Sequence, residues 1–443
     1  MPYPESPFQE IFESELITHS SEKKCGTTIS NEELQKILKW LCSFPKISSY
    51  RVNTLKCIPK DVLDLINKYC EEELDKQPKV EIHPSLSNVI IIIHSDPNES
   101  IIEKHENEVI IDTDCASAVL RGAHIYAPGV IGMLSGSQLN DKVSIYADTL
   151  KKCKKGLQKK FEEQKIFIGN GIVKMRRHQL FGENVIPTGI AVQVTETISG
   201  CPPLKDDFIP SGWALLQNLP SVLCVLALNP KPNEIVIDMC ASPGNKTTHI
   251  AELMQNTGLL VAIDKTAKKV TQLENRCEEF DAKVQIYEAD SRNIVTPTNL
   301  FTRKRVTDGP PFSPESFDRV LLDAPCSVLG KRPQIVNRLS KNEIKSYVPL
   351  QRKLFETAVQ LLKHNGTLVY STCTITLSEN EGMVAWALKK FDCLELVEPN
   401  LCLGGPGWIG TSLTEEERKK VQRFGPDQEV DSVGFFFACF VKK

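Results

Sequence analysis

Two short stretches put a thiol where an enzyme could use one. They are Asp323-Ala-Pro-Cys326 and Ser371-Thr-Cys-Thr374, the second centred on Cys373. Each follows an apolar run that reads as a strand, Phe317 to Leu322 and Leu368 to Tyr370, so each thiol falls at a strand's carboxyl end. Open α/β sheets place reacting groups there. A single cysteine is more often buried packing than a nucleophile, but a pair at two strand ends suits addition to a pyrimidine. Carbon 5 of that ring is not nucleophilic by itself. A thiolate added to carbon 6 makes carbon 5 enamine-like and able to take an electrophilic methyl group. A base then removes the carbon-5 proton and the thiol leaves. The attacking group must be a thiolate, with its pKa lowered by nearby positive charge. An acid must also hold the ring nitrogen and amino group, and Asp323 suits cytosine. Lys246 could hold Asp323 in place or lower the thiol pKa, and the sequence leaves both open.

The elements that position these residues alternate strand and helix. Ile235-Val-Ile-Asp238 runs into Met239-Cys-Ala-Ser-Pro-Gly-Asn-Lys246, and a helix follows from Thr247 to Met254. Gly258 to Asp264, Lys283 to Asp290 and Phe317 to Asp323 are further strands ending in acids, and Gly366 to Cys373 is a fifth. The alternation predicts a mostly parallel, doubly wound sheet. In such folds a glycine turn follows the first strand, and a carboxylate roughly 20 residues on accepts ribose hydroxyls. Gly244 and Asp264 have that separation. A pyrophosphate would want a Gly-rich loop at a helix N-terminus, and a lone Gly244 beside Pro243 leaves little room for one. S-adenosylmethionine needs less. Its carboxylate can use the helix amides, while strand-end acids such as Asp264 and Asp290 take the hydroxyls and the adenine amino group. One strand-end Asp is as readily a helix N-cap, but four on one sheet edge are hard to explain that way.

Composition sets the frame. The 443 residues exceed one compact core and predict two or three domains. A 41% hydrophobic and 25% charged content is that of a soluble globular protein, and a net charge of −3 means any nucleic-acid surface is local. The 15 cysteines contain no C-x-x-C pair, which argues against a zinc site and a disulfide framework. No metal is expected. Met1-Pro-Tyr-Pro-Glu-Ser-Pro7 is not a secretory signal, and the longest apolar run, Val89 to Ile93, is far short of a membrane span. The expectation is a cytoplasmic protein with no membrane association, acting as a monomer.

Residues 1–106 predict a small helical and α/β region. Phe8 to Leu16 and Asn31 to Leu41 read as amphipathic helices, the second announced by Thr27 and Ser30. Tyr50 to Thr54 and Val89 to Ile93 read as strands around a helix from Pro59 to Lys68. Residues 107–202 change texture to short strands, Val109 to Asp112, Lys142 to Asp148, Ile166 to Gly169 and Gly189 to Val194, the spacing of a small barrel. Arg121-Gly-Ala-His-Ile-Tyr-Ala-Pro-Gly129 is a glycine-bracketed loop with Arg121 and Tyr126. Between Lys151 and Lys160 lie Lys151, Lys152, Lys154, Lys155, Lys159 and Lys160. Cations near an aromatic suit RNA, although a bare lysine run is more often a solvated hairpin.

Residues 107–202 resemble a PUA domain, a small RNA-gripping barrel, on Ala118 to Tyr126 and the strand beginning Asp141-Lys-Val143. Residues 203–443 resemble the Sun-domain (NSun) RNA cytosine-5 methyltransferases. The carriers are Tyr50 to Thr54, Met239 to Lys246, Asp323 to Ser327, Leu350-Gln351, Ser371 to Thr374 and the closing Gly434 to Phe440. The resemblance spans nearly the whole chain and is greatest to a PUA-bearing tRNA methyltransferase of that family. It implies a class I (Rossmann-like, doubly wound) methyltransferase domain with an inserted PUA barrel, and S-adenosylmethionine as cofactor. By the same resemblance Cys373 attacks, Cys326 assists release and Asp323 holds the cytosine, with Lys246 beside them. The cofactor site would be Cys240, Ala241, Ser242, Pro243, Gly244, Asn245 and Lys246 with Asp264, Asp290 and Asp323. The substrate would be tRNA, at an acceptor-stem cytosine beside the discriminator base, with Arg121, Tyr126, Lys151, Lys152, Lys154 and Lys155 gripping RNA toward its 3′ end. Ser242, Asn245 and Val328 depart from the family pattern. Asn245 is expected to tolerate a positive φ in the turn, and Val328, where Gly is preferred, to stiffen or shift the Cys326 loop. Two alternatives remain, a non-catalytic RNA-binding scaffold and the same chemistry on another RNA such as rRNA.

Overall fold

The computed structural model describes residues 31–74, 77–95, 102–182, 186–204, 208–296, 305–336, 339–426, 428 and 430–443. The helix expected from Phe8 to Leu16, and Thr27 and Ser30, lie outside the described residues. Chain order begins with α1 (Asn31–Leu41), β1 (Ile47–Val52), α2 (Pro59–Glu73), β2 (Lys79–Ile82) and β3 (Val89–Ile93). The apolar face of α1, Leu34, Ile37, Leu38 and Leu41, is buried, and it packs against Leu329, Ile344, Ile375 and Leu377 from far along the chain. Helix α2 continues past Lys68 because Tyr69 and Cys70 are also buried.

The next region holds β4 (Glu108–Ile111), α3 (Thr113–Val119), β5 (Ile125–Tyr126), β6 (Val130–Met133), β7 (Lys142–Ala147), β8 (Ile166–Val173), α4 (Arg177–Phe181) and β9 (Ile190–Thr197). They form a six-stranded sheet in the order β5-β9-β8-β7-β4-β6 around a core that includes Val109, Val119, Ile145, Ile168 and Val192. The four expected strands are present. β5 and β6 are additions, since the Pro128-Gly129 turn between them hides two short strands. Gly169 is required in β8, where a Cβ would lie 2.1 Å from the Glu196 carbonyl of β9. The lysine segment is no regular hairpin. It is a loop between β7 and β8 strapped by Asp148, whose carboxylate accepts the Leu150 and Cys153 amides at 3.1 and 2.7 Å.

β10 (Ala214–Leu216) then returns to β1 and completes a four-stranded antiparallel sheet, β10-β1-β3-β2. The N-terminal sheet thus takes a strand from beyond residue 203, and Leu86, Val89 and Ile91 share a core with Phe437 and Cys439 near the C-terminus.

The largest sheet is built from β11 (Ile235–Asp238), β12 (Leu259–Asp264), β13 (Gln285–Glu288), β14 (Phe317–Asp323), β15 (Leu362–Thr372), β16 (Leu394–Val397), β17 (Gln422–Phe424) and β18 (Phe435–Lys442). Its order is β13-β12-β11-β14-β15-β18-β16, with β17 also paired to β18. The first five strands run parallel and β18 is antiparallel. β15 starts at Leu362, ahead of the expected Gly366, with a register irregularity before Thr367. Helices α5 (Leu219–Leu228), α6 (Asn245–Leu253), α7 (Ala267–Glu279), α8 (Lys341–Leu361), α9 (Glu381–Lys390) and α10 (Glu415–Lys419) complete the chain. α5 is apolar nearly all round and buried, whereas α8 opens on a reciprocal capping box between Ser340 and Glu343. The strand order reverses between β11 and β14, so a ligand crevice opens at the carboxyl ends there.

Candidate active site

Strand register brings the two thiols together. β14 and β15 are parallel neighbours, with Asp323 beside Ser371. Cys326 lies just past the first strand end and Cys373 just past the second, so the side chains meet with Sγ atoms 3.4 Å apart. Cys326 is buried and Cys373 half-buried. The hydrogen bond from Cys326 lowers the Cys373 pKa, and Lys246 and the residue's own amide help; burial and Asp323 oppose them. The same contact, then burial and Glu379, push Cys326 well up. One thiol is held toward thiolate while its partner keeps its proton.

Lys246 stands between the cofactor loop and these thiols. Its Nζ donates to Asp323 Oδ2 at 2.6 Å and lies 5.2 Å from the centre of the Phe435 ring. Ser371 Oγ donates to the other oxygen of Asp323 at 2.6 Å. Burial works against the Lys246 charge, but Asp323, Cys224 and Cys373 together outweigh it and the pKa is raised. Neither role left open for Lys246 excludes the other in this geometry. It holds Asp323, and its charge favours the Cys373 thiolate.

The crevice beside them carries the acids. Asp264 Oδ2 accepts the Ser242 amide at 3.1 Å and Oδ1 accepts the Lys265 amide at 2.7 Å, fixing the Met239–Lys246 loop. Asp290, just past β13, takes Arg292 Nε at 2.9 Å and Lys265 Nζ at 3.2 Å. The Arg292 bonds hold its carboxyl far below the usual carboxylate range. Asp238 Oδ2 accepts from Thr247 Oγ1 at 2.7 Å, and burial pushes this carboxyl up to about 7. Burial and Asp238 push the Cys240 thiol in the loop well above the ordinary thiol range. Gly244 supplies the only positive φ of the loop, +106°. The expectation for Asn245 is corrected here. It is the first residue of α6, and Gly244 alone needs the left-handed conformation. Val328 does adopt one, at φ +57°, which is costly for a β-branched residue and free for glycine.

Sequence reasoning missed Glu379. This fully buried carboxylate joins both cysteine loops, accepting Ser327 N at 3.0 Å, Ser327 Oγ at 2.5 Å, Gln351 Nε2 at 2.9 Å and Thr376 Oγ1 at 2.9 Å. A Glu two residues ahead of a helix reads as a solvated acid near the helix N-terminus, and no sequence signal distinguishes the two.

The expected RNA residues lie elsewhere. Arg121 and Tyr126 line a cavity of about 310 Å³ with Ser48, Cys201 and Leu216. Lys151, Lys152, Lys154, Lys155, Lys159 and Lys160 are all exposed, and Lys152 pairs with Glu163 at 3.0 Å. A second cavity, about 390 Å³, is walled by Asp114 and Ser117 on one side and by Ser327, Val328, Lys331 and Tyr347 on the other. It joins the six-stranded sheet's region to the Cys326 loop.

Known proteins resemble this chain in sequence and fold. A family model described as 16S rRNA methyltransferase RsmB/F matches residues 225–441. Human tRNA (cytosine(72)-C(5))-methyltransferase NSUN6 is 40% identical, over 95% of this chain and 94% of the human protein. The tRNA (cytosine(72)-C(5))-methyltransferase of Pyrococcus horikoshii is 31% identical, over 92% of each chain. The chain belongs to the Sun-domain RNA cytosine-5 methyltransferase family. A crystal structure of NSun6 from Pyrococcus horikoshii with SFG has a TM-score of 0.74 at 28% identity and covers 100% of this chain and 98% of that one.

S-adenosylmethionine is the cofactor of this Sun-domain chain, and the crevice suits it. Asp238 Oδ1 and Asn245 Oδ1, at the end of β11 and the start of α6, are buried acceptors with no hydrogen-bond partner. Such atoms call for a donor, and the carboxylates around them suit a ligand carrying a sulfonium and an amino group.

Proposed function

We propose that the protein methylates carbon 5 of an acceptor-stem cytosine beside the discriminator base of tRNA. The observation that carries the carbon-5 chemistry is the pair of thiols 3.4 Å apart with Lys246 bonded to Asp323 beside them, and the likeness to tRNA (cytosine(72)-C(5))-methyltransferases supports the position. The Cys373 thiolate adds to carbon 6 of the cytosine. Asp323, fixed by Lys246 and Ser371, holds the ring nitrogen and amino group. The loop Cys240–Lys246 with Asp264, Asp290 and Asp323 would hold S-adenosylmethionine, which supplies an electrophilic methyl group when bound. Carbon 5 takes that methyl and loses its proton, the pair from that C–H bond restores the ring double bond, and the Cys373 sulfur departs. Cys326, still protonated, donates to the departing sulfur.

In this reading residues 1–106 form the N-terminal region, 107–202 a PUA-like RNA-binding domain and 203–443 the Rossmann-like catalytic domain. Arg121, Tyr126, Lys151, Lys152, Lys154 and Lys155 take the tRNA 3′ end. The exposure of the lysines and the cavity joining the barrel to the Cys326 loop support that placement. The test is methyl transfer to a tRNA transcript, to the same transcript lacking its 3′ end, to one with the target cytosine changed to uridine, and to an rRNA fragment. Methylation of the intact transcript alone is expected. Methylation of the rRNA and not of the tRNA would overturn the substrate.

A further inference from the structure

Glu379 is chemically out of place. It is fully buried and, among the described residues, has no Lys or Arg within ion-pairing distance. Two of the four groups around it, the Ser327 amide and Gln351 Nε2, can only donate, while the Ser327 and Thr376 hydroxyls can donate or accept, so the site serves the carboxyl in either protonation state. Burial raises its pKa, and the bonds from Ser327, Thr376 and Gln351 work to hold the charge. None of these partners is an amide of α9. Two of the bonds run across to Ser327 in the Cys326 loop, a third comes from Gln351 of α8, and Thr376 lies in the same segment as Glu379.

Their arrangement brackets one residue. Ser327, directly after Cys326, gives both its amide and its hydroxyl to Glu379. Gln351 Nε2, which bonds Glu379 at 2.9 Å, also donates to the carbonyl of Pro325, directly before Cys326, at 3.0 Å. Thr374, directly after Cys373, meets Ser327 Oγ at 2.7 Å and so ties the second loop to the first. The next residue along, Val328, stands at φ +57°. A β-branched residue persists in that conformation only where its surroundings over-determine it, and the two Ser327 bonds supply that constraint. The negative charge also faces Cys326 and favours its protonated form.

We propose that Glu379 is a positioning residue for product release, holding the Cys326 thiol against the Cys373 sulfur through Ser327 and Gln351. This rests on the reading above in which Cys326 assists release. In that step the carbon-5 proton leaves to water and its bonding pair forms the ring double bond. The carbon–sulfur bond breaks with its pair returning to Cys373, steadied by the Cys326 S–H. Adduct formation and methyl transfer come earlier and, at a pH where Cys373 ionises without the Cys326 hydrogen bond, do not need Cys326 in place.

The test compares Glu379→Gln, Ser327→Ala, Cys326→Ala and the Glu379→Gln, Cys326→Ala double variant on an RNA that the wild type methylates. It is run at alkaline pH, where Cys373 is a thiolate without help from Cys326. First-turnover methyl transfer, steady-state rate and the fraction of enzyme trapped as RNA adduct on a denaturing gel are measured. Glu379→Gln is expected to leave the first turnover within about threefold of wild type. Its steady-state rate should fall by about tenfold or more, the scale of losing a positioned proton donor, with adduct accumulating. Ser327→Ala, which keeps the amide bond, should show a milder form of the same split. The double variant should match Cys326→Ala, since residues acting through one another do not add. Equal losses in first turnover and steady state without adduct, or losses that multiply in the double variant, would overturn the proposal. An absence of adduct with Cys326→Ala itself would remove the release reading and this inference together.

Discussion

The two cysteine loops sit side by side on one sheet, yet they are made differently. Cys373 follows β15 directly, and its level is set by the β14–β15 register, with Lys246 on one side. Cys326 lies in a loop that the sheet does not fix. That loop is held by Glu379 through Ser327, by α1 packing on Leu329, and by Arg332, whose guanidinium bonds Trp40 O, Ser432 O and Asp431. Cys373, the thiol proposed to attack, therefore rests on the regular core of the fold, while Cys326, the thiol proposed to assist release, rests on long-range tertiary bonds. A chemical consequence follows. Lys246 lies by the thiol proposed to ionise, and the Glu379 carboxyl lies by the thiol proposed to keep its proton.

The largest expected effect separates the loops by kind. Cys373→Ala should lose methyl transfer by roughly 10⁴-fold or more, with no covalent RNA complex, as expected for loss of a nucleophile. Cys326→Ala should still form the complex and should stall after one turnover. Gel-shift of the denatured enzyme alongside a single-turnover assay reads both, and equal behaviour of the two variants would erase the distinction.

A smaller effect concerns charge. The Cys373 pKa is lowered, so its thiolate persists as pH falls below the ordinary thiol range and is lost only below the depressed value. Lys246→Met removes a group that lowers that pKa, so the acidic limb of the first-turnover pH profile should move to higher pH. An unmoved limb, with a loss of rate at every pH, would mean that Lys246 acts through Asp323 alone.

The smallest effect tests strain in the Cys326 loop. A left-handed conformation costs a non-glycine residue about 1–2 kcal/mol, against about 0.5–1 kcal/mol of extra chain entropy for glycine. Val328 is 42% exposed, so little burial is lost on replacement. Val328→Gly should therefore be neutral to more stable by about 1 kcal/mol in denaturant unfolding. Clear destabilisation would show that the valine side chain contributes packing that outweighs the strain.

Much of the sheet was legible because its strands are apolar runs ending in small polar residues. Ile235–Asp238, Leu259–Asp264 and Phe317–Asp323 are such runs, and their acids and thiols share one edge for that reason. The amphipathic face of α1 was legible as well, but its partners were not. Leu329 and Ile375 lie roughly three hundred residues away, and no local pattern encodes a contact between them. β5 and β6 were hidden by their shortness. Asn245 was misplaced by one residue in the turn because either it or Gly244 could take the positive φ, and the helix start decided the matter. Glu379 was invisible because its chemistry lies in what surrounds it.

The most direct measurement is to trap wild-type enzyme on RNA carrying 5-fluorocytosine, which has no carbon-5 proton to release, digest the complex and locate the attached nucleotide by mass spectrometry. The account predicts the nucleotide on the peptide containing Cys373, with Cys326 free. A nucleotide on Cys326 would contradict it, reversing the roles of the two loops and of the charges beside them.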